Sequence, residues 1–144
     1  MGSGFRYNRI SQVEAQPDGL LEGSEQSGAK GSTSAGVRLA MIYDNRDNLL
    51  NAKDGFYVAL THGFYEKALG GTQKYELTRF DFRYYTILLK KSSSVLAFQF
   101  KAQLSHGDTP LLELGRLGGG ETMRGYFEGR YTDRHLLATQ IEWR

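Results

Sequence analysis

Cysteine is absent from the 144 residues and proline occurs only twice. Without cysteine there is no disulfide framework and no thiolate metal site. Nor does the sequence contain a run of about 18 apolar residues, so no transmembrane helix is expected. No secretory leader is visible in these residues either. Met1-Gly2-Ser3-Gly4 reads as an added leader, and any targeting sequence is expected outside the chain. There is no strong bias to one sign of charge: the net charge of +2 gives no argument for nucleic acid or for an acidic partner.

Signatures of chemistry are equally scarce. His62, His106 and His135 lack metal-ligand spacing and read as structural, and neither a metal nor a cofactor is expected. Asp44 and Asp47 lack the spacing of a calcium loop and suit a turn better. In the glycine run from Gly118, Met123 stands where a dinucleotide fingerprint needs its third glycine. No Gly-Lys-Ser/Thr ending follows, and no Gly-x-Ser-x-Gly elbow occurs. No catalytic residue is assigned and no enzyme is expected.

What the chain does contain is glycine, 18 residues, with nine tyrosines and eight phenylalanines. It is too aromatic for a disordered chain and too glycine-rich for a helical bundle, and flat side chains suit a pleated surface. Periodicity of two runs almost throughout. Val37, Leu39, Met41 and Tyr43 alternate with Arg38, Ala40, Ile42 and Asp44 over 33–45. Phe56, Val58 and Leu60 alternate with Tyr57, Ala59 and Thr61 over 56–67. Over 74–90, Phe80, Phe82, Tyr84, Thr86 and Leu88 oppose Arg79, Asp81, Arg83 and Tyr85. The runs 93–106 and 131–144 behave alike, the last setting Leu137, Thr139, Ile141 and Trp143 against Ala138, Gln140, Glu142 and Arg144.

With a first, poorly patterned strand from about 4 to 13, the expectation is an all-β chain of about six antiparallel strands. Most reach the roughly 9–11 residues that a tilted strand needs to cross a bilayer. Long loops at 14–32 and 107–130 alternate with a compact segment at 44–55, a Gly70-Gly71 turn and a tight turn at 90–93. Outer-membrane barrels show short turns on one side and long loops on the other.

A soluble β-sandwich also has one apolar and one polar face. Two features favour the membrane. The polar face carries Arg79, Asp81 and Arg83 on neighbouring positions, as a water-filled lumen tolerates. Aromatics gather near strand ends, with Tyr43, Phe56, Tyr57 and Trp143 toward one side and Phe64, Tyr65 and Tyr75 toward the other.

Two motifs then carry a resemblance. Leu117-Gly118-Gly119-Gly120-Glu121-Thr122-Met123-Arg124-Gly125-Tyr126, followed by Gly129-Arg130-Tyr131-Thr132-Asp133, resembles the sixth outer loop of the BamA/TamA-type outer-membrane surface-antigen family. That loop's hallmark is an aliphatic-Arg-Gly-aromatic tetrapeptide. Tyr43-Asp44-Asn45-Arg46-Asp47-Asn48 through Asp54-Gly55 is similar to the family's inner-side turn, although the usual proline before the glycine is replaced by Asn51-Ala52-Lys53.

The resemblance covers about residues 33–144 and implies the seventh to twelfth strands of a sixteen-stranded transmembrane barrel. Residues 1–144 are then one partial barrel domain with a re-entrant loop at 107–130. It further implies a bacterial outer-membrane location, contact with outer-membrane lipid, client polypeptides and other barrel chains, and a role in inserting or transporting polypeptides. In the family the tetrapeptide loop folds back into the lumen, where its arginine meets acidic side chains on the next two strands. Carried over, Met123, Arg124, Gly125 and Tyr126 form the functional motif and Glu142 is the first acidic partner. Asp44, Arg46, Asp47 and Gly55 mark the inner turn. Gly118 to Gly120 would permit the turns of re-entry, Gly125 a close approach to the wall, and Arg124 a planar fork for a carboxylate. The alternatives are a passive pore, a barrel anchor for a lipase-like protein, or a soluble β-sandwich binding module.

Overall fold

Alternating aromatic, branched and polar side chains favour extended backbone, because each face of the pleat then meets one kind of environment. In the computed structural model, which describes residues 2–10, 31–89, 94–120 and 122–144, these stretches are strands. They are β1 (Gly2–Ile10), β2 (Ser32–Asp44), β3 (Gly55–Tyr65), β4 (Tyr75–Leu89) and β5 (Ser94–Gly107). Short β6 (Gly115–Leu117) and β7 (Tyr131–Asp133) precede β8 (His135–Trp143). One antiparallel sheet of six strands runs in the order β1-β2-β3-β4-β5-β8, and β6 and β7 pair separately. Most of the 14–32 loop and the 90–93 turn lie outside the described residues.

Two boundaries differ from the sequence reading. The first strand, expected from about 4, starts at Gly2, so that Gly2 to Gly4 pair with Ala40 to Arg38 inside β1. The run 131–144 is two elements: Tyr131–Asp133 pairs with Gly115–Leu117, and only His135 onward joins β5. Alternation continues through both because it records which way side chains point, not which strand accepts the hydrogen bonds.

Register sorts the side chains into two faces. On one, Tyr43, Val58, Phe82, Phe100 and Thr139 form a cross-strand row, and Met41, Leu60, Phe80, Ala102 and Leu137 form the next. Phe80 and Phe82 meet Phe100 and Phe98 diagonally, at ring separations of 6.0 and 6.1 Å. Much of this face is open: Leu39 is 49% exposed, Leu137 68%, Ile141 70% and Trp143 69%. On the other face, Tyr57, Arg83, Gln99 and Gln140 share a row beside Ala59, Asp81, Lys101 and Ala138.

The buried core lies on the polar face, at the β3–β4 turn end. Tyr65 and Tyr75 stack with ring centroids 4.4 Å apart and planes 8° from parallel, beside Leu77. The Tyr75 hydroxyl donates to Ser34 Oγ at 2.8 Å, so the polar tip is satisfied where the ring is buried. Tyr65 lies over Gly36 and Gly63, where an added Cβ would come within 2.7 Å of its ring. The glycines make room for the plate, and the plate covers backbone that glycine would otherwise leave bare.

Candidate functional site

Beyond β5 the chain turns back over the polar face. Asp108 N donates to Lys74 O at 2.9 Å, and Thr109 and Pro110 are buried. A single 3-10 turn, Leu111–Glu113, then brings the Glu113 carboxylate onto the sheet. Its Oε2 accepts from Arg79 Nη2 of β4 at 2.9 Å, and its Oε1 lies 3.1 Å from Arg6 Nη2 of β1. The Glu113 carbonyl accepts from Gln103 Nε2 of β5 at 2.7 Å, and Gln103 Oε1 accepts from Arg79 Nε at 3.0 Å. The Glu113 side chain is only 7% exposed.

From there β6 and β7 form a hairpin packed against the start of β8, where Gly115 faces Leu136 so closely that a Cβ would lie 2.7 Å from Leu136 Cβ. Ser105 Oγ donates to Arg134 O at 2.8 Å and fixes the hairpin's exit on β5. Between hairpin and sheet lies a cavity of about 630 Å³. Arg79, Asp81 and Lys101 line its sheet side; Arg116, Gly119 and Thr122 line its loop side. Asp81 accepts from Arg83 Nη2 at 2.7 Å and from Gln99 Nε2 at 3.3 Å, so its carboxylate is held against the wall.

At the hairpin tip, Met123-Arg124-Gly125-Tyr126 makes a tight turn. Tyr126 N donates to Met123 O at 3.3 Å, and Gly125 has φ +96°. Positive φ at the third turn position is what a type II turn demands, which is why glycine stands there. The sequence reading gave Gly125 a different purpose, close approach to the wall; a Cβ at this position would meet nothing within 4 Å. Arg124 Nη2 lies 3.5 Å from Glu142 Oε1 on β8, with the Arg124 side chain 65% exposed. The other carboxylate oxygen of Glu142 takes Arg144 Nη2 at 3.1 Å. Tyr126 packs near Tyr131, ring centroids 6.1 Å apart, and Phe127 is almost fully exposed.

The turn between β2 and β3 is a separate polar structure. Asp44 holds Arg46 through both carboxylate oxygens, at 2.9 and 2.7 Å, and the Arg46 guanidinium lies 5.0 Å from the centre of the Tyr57 ring. Asp47 Oδ1 accepts from Lys53 N at 2.9 Å and Asp54 N at 3.3 Å. These two backbone donors, Lys53 first, hold the Asp47 carboxyl below its ordinary pKa. Asn48 Oδ1 accepts from the Leu50 and Asn51 backbone N–H groups, leaving Leu49 and Leu50 exposed at the tip. Gly55 closes the turn at φ +100°.

The sequence-predicted residues therefore fall in two clusters: Met123 to Tyr126 with Glu142 at one, and Asp44, Arg46, Asp47 and Gly55 at the other. The histidines lie on the apolar face. His62 Nδ1 is 2.8 Å from Thr78 Oγ1, and the His106 and His135 rings are 6.2 Å apart. Among the described residues no group of three or more His, Asp or Glu is arranged to hold a metal. Sequence reasoning missed Glu113, the most buried carboxylate on the polar face. The available signal was charge: an acid opening a loop that must return over a face bearing Arg79 and Arg83.

Compared with known families, the chain matches the Omp85 superfamily domain over residues 1–141. No curated protein and no solved structure matches it.

Proposed function

Because the chain belongs to the Omp85 superfamily, a family of outer-membrane β-barrel proteins, we propose that its sheet is part of the wall of a barrel that inserts or transports polypeptides at the bacterial outer membrane. One observation carries this reading: the face of the sheet that is apolar is the one left open, while the polar face is partly covered by the chain's own loop. In water the exposed aliphatic and aromatic surface would be an association site. In lipid it is the required exterior of a barrel wall.

The outline of the apolar band supports it. The band runs Val37–Tyr43 on β2, Phe56–Phe64 on β3, Phe80–Leu88 on β4 and Leu96–Leu104 on β5. Register pairs Val37 with Phe64, Phe64 with Glu76 and Glu76 with His106. The band therefore slides along the strands across the sheet, as a slab boundary does when strands are tilted. A band of about nine residues tilted by about 40° is roughly 20 Å tall, near the height of the apolar belt of such barrels.

On this reading the polar face looks into the lumen, the 108–134 segment is the re-entrant loop, and the Asp44-to-Gly55 turn is periplasmic. Arg124 and Glu142 form the docking pair of the loop tip. A loop across the polar face narrows a channel, which favours a transporter over a permanently open pore. The partners are outer-membrane lipid and client polypeptides. Further strands, from a longer chain or another copy, complete the barrel, sixteen strands by the family pattern.

Partitioning tests the proposal. The chain should require detergent or denaturant to stay dispersed, and in detergent should give a β-type circular dichroism spectrum. Recovery as a stable monomer in plain buffer would falsify the membrane assignment.

A further inference from the structure

The loop meets the sheet at two charged contacts of different character. At the tip, Arg124 is 65% exposed, stands 3.5 Å from Glu142, and shares that carboxylate with Arg144. An exposed, shared ion pair contributes little. At the root, Glu113 is 7% exposed and takes two guanidiniums, Arg6 and Arg79, one on each carboxylate oxygen. Gln103 closes the ring by accepting from Arg79 and donating to the Glu113 backbone.

We propose that Glu113 is the residue that positions the root of the loop on the polar face, separately from the Arg124 contact at the tip. Arg6 stands on β1 and Arg79 on β4, with β2 and β3 between them. On a flat sheet those strands lie roughly 14 Å apart. One carboxylate reaching both is a strut from β1 to β4, so the same contact seats the loop and ties the two strands together. Its loss also leaves two guanidiniums facing each other without their shared anion, which adds repulsion to the lost bonds. The proposal goes beyond the membrane reading, since the loop packs on the polar face whatever lies against the apolar one.

A thiol reporter reads loop release directly. Thr109 is buried and its hydroxyl has no hydrogen-bond partner among the described residues, so Thr109→Cys removes no bond. The chain has no other cysteine, so labelling is unambiguous. With the folded Thr109→Cys chain in detergent, and strand content checked by circular dichroism, Glu113→Gln should raise the maleimide labelling rate of the introduced thiol about tenfold or more. Arg124→Ala should raise it by no more than about twofold. Glu113→Asp, which keeps the charge, should restore part of the protection. A parental rate in a folded Glu113→Gln chain overturns the proposal, as does a larger effect from Arg124→Ala. Should Glu113→Gln fail to fold, Arg6→Gln decides: an intermediate rate supports the strut and a parental rate refutes it. A chain that proves soluble in buffer can be labelled there, so failure of the membrane assignment and failure of the latch give separate results.

Discussion

Gly55 and Gly125 occupy nearly the same backbone conformation, φ +100° and +96°, in very different surroundings. A Cβ on Gly55 would sit 2.6 Å from Asn45 O and 2.9 Å from Arg46 Cα, both backbone atoms that the Asp44 and Asp47 hydrogen bonds hold in place. At Gly125 the same atom meets open space. Gly125→Ala should thus cost about 1–2 kcal/mol, the conformational penalty alone. Gly55→Ala should cost more, because the turn must also move. Denaturant midpoints of the two variants in detergent give the order, and equal losses would show that crowding at Gly55 relaxes freely. Sequence pattern located both glycines but could not separate a conformational demand from a steric one, since that distinction depends on a neighbour ten residues away at Asn45.

At the scale of the strand, sidedness is the testable property. Phe82 and Gln99 lie on adjacent strands near mid-height, on opposite faces: Phe82 pairs with Phe100, and Gln99 with Arg83. If the apolar face meets lipid, Phe82→Arg should destabilise by about 2–4 kcal/mol, the cost of a cation near the middle of the bilayer. Gln99→Arg, facing water and the Asp81 carboxylate, should change stability by only about 0.5 kcal/mol. Chemical unfolding in lipid vesicles measures both, and comparable losses would sink the two-face assignment. These faces were legible in the sequence because period two is local. The partner of each strand was not: Tyr131–Asp133 continues the alternation of β8 yet belongs to the loop hairpin. Glu113 was hidden for the same reason. Its ligands stand 34 residues away at Arg79 and farther still at Arg6, and a short Leu-Leu-Glu-Leu stretch has no period of its own.

At the scale of the whole molecule, the six long strands of the described residues form an open sheet, and its two edges decide what it does alone. β1 pairs only with β2, and β8 only with β5, so each carries a row of outward N–H and C=O groups with no ladder partner among the described residues. In water such edges recruit other strands. In hydrocarbon they are untenable, since each unsatisfied group costs several kcal/mol. Glu113 ties β1 to β4 across the two strands between them, and the loop lies over the polar face at that point. Bacterial single-chain barrels start at about eight strands, so on the barrel reading proposed above the six strands of the described sheet are too few to close. We expect the isolated chain to satisfy its edges by pairing β1 and β8 with other copies, giving dimers or larger species when sized by light scattering in detergent. Adding strands that extend either edge should convert these to monomers that resist unfolding by detergent until heated. A monodisperse six-strand monomer with that same heat resistance would mean that β1 and β8 close on each other, and the sixteen-strand register would have to be abandoned.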